Sequence, residues 1–356
     1  MLPRKLVECV PNFSEGRNQL IIDAIAKTIQ SVQGVWLLHV DSNADANRTV
    51  MTFVGSPDAV MVAAFQAISR AAELIDMRHH TGTHARIGAT DVCPFVPIAG
   101  ISMSETILLA TALAEKVGKG LDIPVYLYEH AAIAPHKRNL ADLRAGEYEG
   151  LREKMRRLEW KSDFGPSFFQ PRVGATVIGV RSFLIAYNVN LASTNIAIAR
   201  RIAGMIRESG IPQRNPDGSL QYDENNNAIR TTGEFKSVKA VGWWMPRFNC
   251  TQVSMNLTDF LQSPPHLVYE RISSLALTMG TRVTGSEIVG LVPEKALLLA
   301  GDYYLKKEKQ GADPILAAIK GLGLNDLYAF QPLEKILEYR LAAVMQEQSR
   351  DNNDKP

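Results

Sequence analysis

SFLIAYNVNLASTNIAIARRIAGMIRES, residues 182–209, changes its periodicity halfway. SFLIAYNVNL (182–191) is rich in β-branched and aromatic residues and reads as a strand. From 193 to 209 the apolar residues recur at helical spacing, with Ser193 or Thr194 as the expected N-cap. Two further strand-like runs, 234–245 and 250–260, flank a short MPRFN turn. PPHLVYERISSLALTMG (264–280) reads as a helix opened by proline and closed by Gly280. VTGSEIVGLVP (283–293) is another strand and EKALLLAGDYYLKK (294–307) a last helix. The order β-α-β-β-α-β is that of the ferredoxin-like plait, a sheet with both helices on one face.

The first half begins the same way. Residues 6–13 read as a strand, 17–32 as a helix, 35–42 and 48–56 as two strands, and 57–75 as a helix with Pro57 in its first turn. A helix over 102–120, a strand over 122–130 and a charged helix near 139–158 follow. The expected fold is therefore α/β (α+β), with two ferredoxin-like subdomains, 1–180 and 181–340, joined near 165–180. Residues 341–356 read as a polar, solvated tail. With helices on the outer faces, the two bare sheets are expected to face each other across a ligand cleft. Residues 212–233 carry Asn-Pro and Asp-Gly turn signals and read as a polar surface insertion. VPNFSEG, NVNLAST and SMNLTDF each place an asparagine at a strand end. Either they share turn chemistry, or Asn12, Asn190 and Asn256 line one cleft as substrate-binding amides.

Composition narrows the function classes. In 356 residues, 39 basic side chains nearly balance 37 acidic ones, so no broad field attracts nucleic acid. No apolar run is long enough for a signal peptide or a membrane span. Cys9, Cys93 and Cys250 are few and far apart, which fits a reducing cytoplasm rather than a disulfide framework.

MRHHTGTHARIGATDVCPF (77–95) holds the candidate chemistry. His80 and His84 would share one face of a helix and suit zinc, with Asp91 as a third ligand. Gly82, Gly88, Thr81 and Thr83 oppose that helix. His79 reads as a surface residue at a helix end. His84 lies between two glycines that let a ligand approach the backbone. In an extended segment Arg86 would point the same way, and an imidazole beside a fixed cation suits proton transfer near an anionic substrate. Cys93, in the apolar DVCPFVPI, reads as a buried structural thiol.

Five strings, VECVPNFSEGRN, VDSNADANRTVMTFVG, LIDMRHHTGTHARIGATDVCPF, PVYLYEHAA and DFGPSFFQPRVGAT, occur in the order and spacing of the formiminotransferase family. The chain resembles that family, the domain at the front of formiminotransferase-cyclodeaminase, over about residues 5–340. The resemblance implies glutamate formimidoyltransferase activity, moving a formimino group from N-formimino-L-glutamate to N5 of tetrahydrofolate in histidine breakdown. It implies two subdomains enclosing a folate tunnel, tetrahydrofolate as co-substrate and no required metal. It also implies a homodimer, with no nucleic-acid or membrane partner. In the H-x-G-x-H-x-R-x-G string the second histidine, His84, aligns with the catalytic one. Gly165, Pro166, Ser167, Phe168, Phe169, Gln170, Pro171, Arg172, Val173 and Gly174 align with the folate-contacting strip. Asp41 and Arg86 carry over as polar groups near the reaction. Thr83 and Ala85 depart from the Glu and Pro that often flank the family's histidine, and the polar insertion is longer than usual. With no cyclodeaminase segment in the sequence, the expected product is formiminotetrahydrofolate, and a separate cyclodeaminase is an expected partner.

That reaction needs a positioned acid for the departing amine, so His84 is expected to titrate near neutrality. Asp41 would orient the imidazole or stabilise a cationic intermediate. Arg86 would fork a substrate carboxylate. Phe168 and Phe169 would stack on the folate or pack in the fold. Two alternatives remain at this point: a metal-dependent hydrolase using His80, His84 and Asp91, and a non-catalytic folate-binding protein of the same fold.

Overall fold

A computed structural model describes residues 4–224, 227–308 and 313–353. The chain divides into two units, Met1–Ser182 with Leu341–Pro356, and Phe183–Arg340.

The first unit is built on one mixed sheet. Its strands are β1 (Leu6–Cys9), β2 (Asn12–Phe13), β3 (Val35–Asn43), β4 (Arg48–Gly55), β5 (Thr90–Ala99), β6 (Val125–Glu129) and β7 (Thr176–Val180). β1 and β2 are one line interrupted at Val10 and Pro11, and both pair with β4 on one side and β5 on the other. β3 lies beyond β4. β7 pairs in parallel with β5 and with β6. Helices α1 (Gln19–Gln30), α2 (Pro57–Leu74) and α3 (Met103–Leu121) start on side-chain caps from Asn18, Ser56 and Ser102. They bury Phe13, Met51, Phe53 and Phe95 against one sheet face. Through β5 the chain therefore runs β-α-β-β-α-β, and α3, β6 and β7 extend that plait.

Three features of this unit differ from the sequence expectation. β5 was not anticipated, because Pro94 and Pro97 inside TDVCPFVPIA argue against a strand. β7 falls in the stretch expected to join the subdomains, yet it lies inside the sheet between β5 and β6. The charged helix near 139–158 is two helices, α4 (Leu140–Arg144) and α5 (Glu147–Arg156), broken where Gly146 takes φ +86°. They lie on the face opposite α1–α3, where Leu143, Leu151 and Met155 cover Val92, Tyr126, Tyr128 and Val177.

The second unit has the expected plait. β8 (Ile185–Leu191), α6 (Ile196–Ile206), β11 (Val238–Met245), β12 (Cys250–Leu257), α7 (Pro265–Thr278) and β13 (Val283–Val289) form an antiparallel sheet of order β11-β12-β8-β13. Asn195 caps α6, one or two residues beyond the expected position. The insertion is a hairpin on β9 (Ile211–Pro212) and β10 (Arg230–Thr231); its residues 225–226 lie outside the described ones. α8 (Glu294–Glu308) and α9 (Pro314–Gly321) complete the core with Leu297, Ala300, Ala318 and Ile319. After α10 (Pro332–Lys335), the expected polar tail is instead a helix, α11 (Leu337–Asn353), whose residues from Leu341 on belong to the first unit, with Leu341 and Val344 buried; residues 354–356 lie outside the described ones.

Candidate active site

After α2 a single 3₁₀ turn, Met77–His79, leads into an irregular loop that lies on the β3–β4 turn. Thr83 N–H donates to Asp45 O (3.1 Å). Asn47, held at φ +47°, accepts from Gly16 N–H (2.9 Å) and donates to Thr81 O (2.9 Å). A Cβ on Gly82 would lie 2.2 Å from Ala46 O, so this approach requires glycine. His79 is exposed, as expected. Both ring nitrogens of His80 are engaged: Nε2–H donates to Asn47 O (2.9 Å), and Nδ1 accepts from Arg86 Nε (3.1 Å).

Arg86 does not point with His84. It is buried and uses every donor within the protein. Besides His80 Nδ1, it reaches His80 O (3.2 Å), Glu147 (3.0 Å) and both carboxylate oxygens of Glu149 (2.8 and 2.7 Å). A guanidinium has five N–H donors, and five contacts are made. The fork expected for a substrate carboxylate is occupied by Glu149, and Arg86 ties the histidine loop to α5.

His84 turns to another set of partners. Its Nδ1–H donates to Ala85 O (2.7 Å), and its Nε2 accepts from Arg48 Nη1 (2.5 Å). Since a carbonyl only accepts and a guanidinium only donates, these contacts assign the neutral Nδ1–H tautomer. Burial first, then the Arg48 and Arg144 cations, push its pKa down to about 4, against the pull of Asp91. The near-neutral acid expected from the sequence is, in this structure, a neutral base at pH 7. Arg144, from α4, pairs with Asp91 of β5, whose other oxygen accepts from Ile87 N–H (2.9 Å). Asp41 lies on β3 opposite Val50, on the sheet face that carries Arg48, and acts on Arg48 electrostatically. Sequence reading missed Arg48 and Arg144. Arg48 had a signal, an arginine alternating with Val50 and Thr52 on one strand; Arg144 sits among other charges and had none.

The expected folate strip lies close to this loop. Gly174 bridges Gly88, Ala89 N–H donates to Val173 O (2.8 Å), and Met77 N–H to Arg172 O (2.8 Å). Arg172 caps α2 through Glu73 O (2.5 Å), and Gln170 binds Asp122 (2.8 Å). Phe169 packs against Tyr148 and beneath Arg152, whereas Phe168 is 62% exposed. Pro166 and Ser167 carbonyls accept from Ser162 and Lys161, and Pro171 O from Tyr148. Gly165, at φ +74°, sits against Gly118 and Ile123.

Asn12 is buried on β2 and donates to Val10 O (2.8 Å). Asn190 and Asn256 lie in the second unit on one sheet face, Asn190 buried beneath Gln252 and Asn256 exposed. Cys93 is buried 3.5 Å from Cys9. The trio His80, His84 and Asp91 offers no open ligand set, since both His80 nitrogens and both Asp91 oxygens have protein partners. Among the described residues no group of three or more His, Cys, Asp or Glu is placed to hold a metal ion, and no helix is long and apolar enough to cross a membrane.

The family model of the formiminotransferase domain, N-terminal subdomain, matches residues 6–181, and that of the formiminotransferase domain matches residues 186–342. Formimidoyltransferase-cyclodeaminase of Gallus gallus is 46% identical over 343 residues, 95% of this chain and 60% of that protein. The chain thus spans about 60% of the length of this bifunctional relative. Glutamate formimidoyltransferase of Streptococcus pyogenes serotype M1 is 41% identical, covering 85% of this chain and 94% of that protein. The protein of the same name from Thermoplasma acidophilum is 42% identical, with 85% and 92% covered. With both subdomain models matched in chain order, this chain belongs to the formiminotransferase domain family.

Proposed function

We propose that this chain is a glutamate formimidoyltransferase, moving the formimino group of N-formimino-L-glutamate to N5 of tetrahydrofolate. Two relatives matched over nearly their whole length carry that name. The observation that carries the mechanism is the neutral His84 imidazole, with Nδ1–H fixed on Ala85 O and Nε2 a proton acceptor.

Tetrahydrofolate supplies the nucleophile: as N5 bonds to the formimino carbon, that carbon becomes tetrahedral and N5 must shed a proton. His84 Nε2 takes it as a general base. The resulting imidazolium, made acidic above all by its burial, passes the proton to the glutamate nitrogen. That C–N bond then breaks and glutamate leaves as an amine. The proton is conserved and His84 returns to its starting tautomer. Such transfer is worth about 10²- to 10⁴-fold. Ala85 O holds the ring through its Nδ1–H, the orienting part given in the sequence reading to Asp41; here Asp41 balances the charge of Arg48. Phe168 offers a stacking face to the folate, and Phe169 holds the strip in place. Arg86 acts on the reaction only by positioning the loop. Asn12, Asn190 and Asn256 remain substrate-binding candidates. A homodimer, a cytoplasmic location, a role in histidine breakdown and a separate cyclodeaminase partner belong to the same proposal.

Acid/base chemistry is favoured over a metal-dependent hydrolase because the candidate ligands are already spent. Incubation with N-formimino-L-glutamate should release glutamate only when tetrahydrofolate is present. Glutamate release without it would indicate a hydrolase, and folate binding without any release a non-catalytic protein.

A further inference from the structure

Among the described residues, Arg48 stands out as a half-buried cation with no carboxylate partner. Its Nη1 donates to His84 Nε2 at 2.5 Å, and its Nε is buried with no hydrogen-bond partner. Burial and the nearby Arg144 push its own pKa down to about 10. Every carboxylate close by is otherwise employed or distant: Asp91 is held by Arg144 and Ile87 N–H, and Asp41 acts on Arg48 without an ion pair. A buried charge left this way costs free energy until an anion joins it.

The contact also obstructs the chemistry. Arg48 donates to the one lone pair of His84 that the reaction needs. Resting on the reading of this chain as a glutamate formimidoyltransferase, we propose that Arg48 is a carboxylate-operated latch. A carboxylate of N-formimino-L-glutamate pairs with the guanidinium, draws it off His84 Nε2 and frees the imidazole to act.

The competition favours the carboxylate. The edge formed by Nη1–H and Nη2–H can make a bidentate, charge-assisted fork that takes the Nη1 donor from the imidazole, which offers one neutral acceptor. Every charged side chain facing His84 is then accounted for. Arg48 (β4) is neutralised by substrate, Arg144 (α4) stays on Asp91 (β5), and Asp41 (β3) acts on Arg48 electrostatically. With one repelling cation neutralised and an anion nearby, the imidazole becomes more basic while the donor is bound. Specificity follows, since a formamidine without a carboxylate would leave the latch closed. Such a compound should show a low kcat even at saturation.

The test follows the His84 ring by NMR in the full chain, assigned by its loss in His84→Gln. Titrations are run with and without saturating N-formimino-L-glutamate, with tetrahydrofolate omitted so that no turnover occurs. In the wild type, donor binding should raise the His84 pKa by about one unit or more. Arg48→Gln should show a raised pKa without ligand and no further response, and Arg48→Lys should keep it low with a weakened response. An unmoved His84 in donor-saturated wild type overturns the latch, as does a full ligand response in Arg48→Gln. Should Arg48→Gln not fold, the wild-type titration and Arg48→Lys still decide. The glutamate-release assay on the same wild-type sample separates the two ideas. Release with an unresponsive His84 sinks only the latch, whereas neither donor binding nor release sinks the functional reading and the latch with it.

Discussion

Replacing Arg86 by methionine separates two roles for that residue. In the structure its side chain is 7% exposed and makes five hydrogen bonds, so Arg86→Met should act first on stability. The Glu147 and Glu149 side chains are 45% and 65% exposed, so each ion pair contributes at most about 1 kcal/mol. The two bonds to His80 are better shielded and contribute about 1 kcal/mol each. The expected loss is therefore about 2–4 kcal/mol, a large share of the ~5–15 kcal/mol that holds a typical domain. Urea unfolding of the first unit measures it, alongside kcat and KM for each substrate. With His80 unlocked, kcat should fall, while KM for N-formimino-L-glutamate should move only a few-fold. Were Arg86 the fork for a substrate carboxylate, the pattern would reverse. Near wild-type stability with that KM alone raised about 100-fold, the size of a lost charged hydrogen-bond pair, would refute the positioning role.

Burial and two arginines hold the folded-state pKa of His84 at about 4, below the ordinary 6.5. Between those values the unfolded chain binds the proton first, so this group's contribution is complete above about 6.5 and lost as pH falls towards 4. The urea midpoint of wild type should therefore drop more steeply over that range than that of His84→Gln; equal slopes would contradict the assignment. Phe168→Ala should weaken tetrahydrofolate binding by about 1 kcal/mol with stability intact, and Phe169→Ala should instead lower stability by a similar amount, since its ring packs against Tyr148 and Arg152. Calorimetry and thermal melts distinguish these outcomes, and an exchange of the two effects would reverse the roles. Replacing residues 212–233 with a short Gly/Ser turn should leave turnover per folded molecule within a few-fold, because the hairpin is mostly exposed; a collapse of kcat would give it a part in the reaction.

The plait of the second unit was legible because its two helices and longer strands are periodic and bounded by their own turn chemistry. The first unit hid elements wherever local signals opposed the tertiary result. Two prolines disguised β5, and β7 is five residues behind a Gly/Pro-rich strip. In α11, Leu337, Leu341 and Val344 recur at helical spacing, a stripe outweighed by the polar residues around it. The same limit applies to the site. His84 stood out by its glycine neighbours and its family string. Arg86 was misdirected because alternation holds only in extended backbone, and this loop bends around the β3–β4 turn. Arg48 and Arg144 reach the imidazole from a strand and a helix far away in sequence, which no local spacing encodes.

His84 is the group that carries the proton in the proposed reaction. Its direct test is steady-state turnover of wild type and His84→Ala with N-formimino-L-glutamate and tetrahydrofolate at pH 7, with tetrahydrofolate affinity measured on both proteins. The expected result is a fall in kcat of about 10²- to 10⁴-fold and a dissociation constant for tetrahydrofolate within a few-fold of wild type. Turnover near the wild-type rate in a folded His84→Ala protein would contradict it.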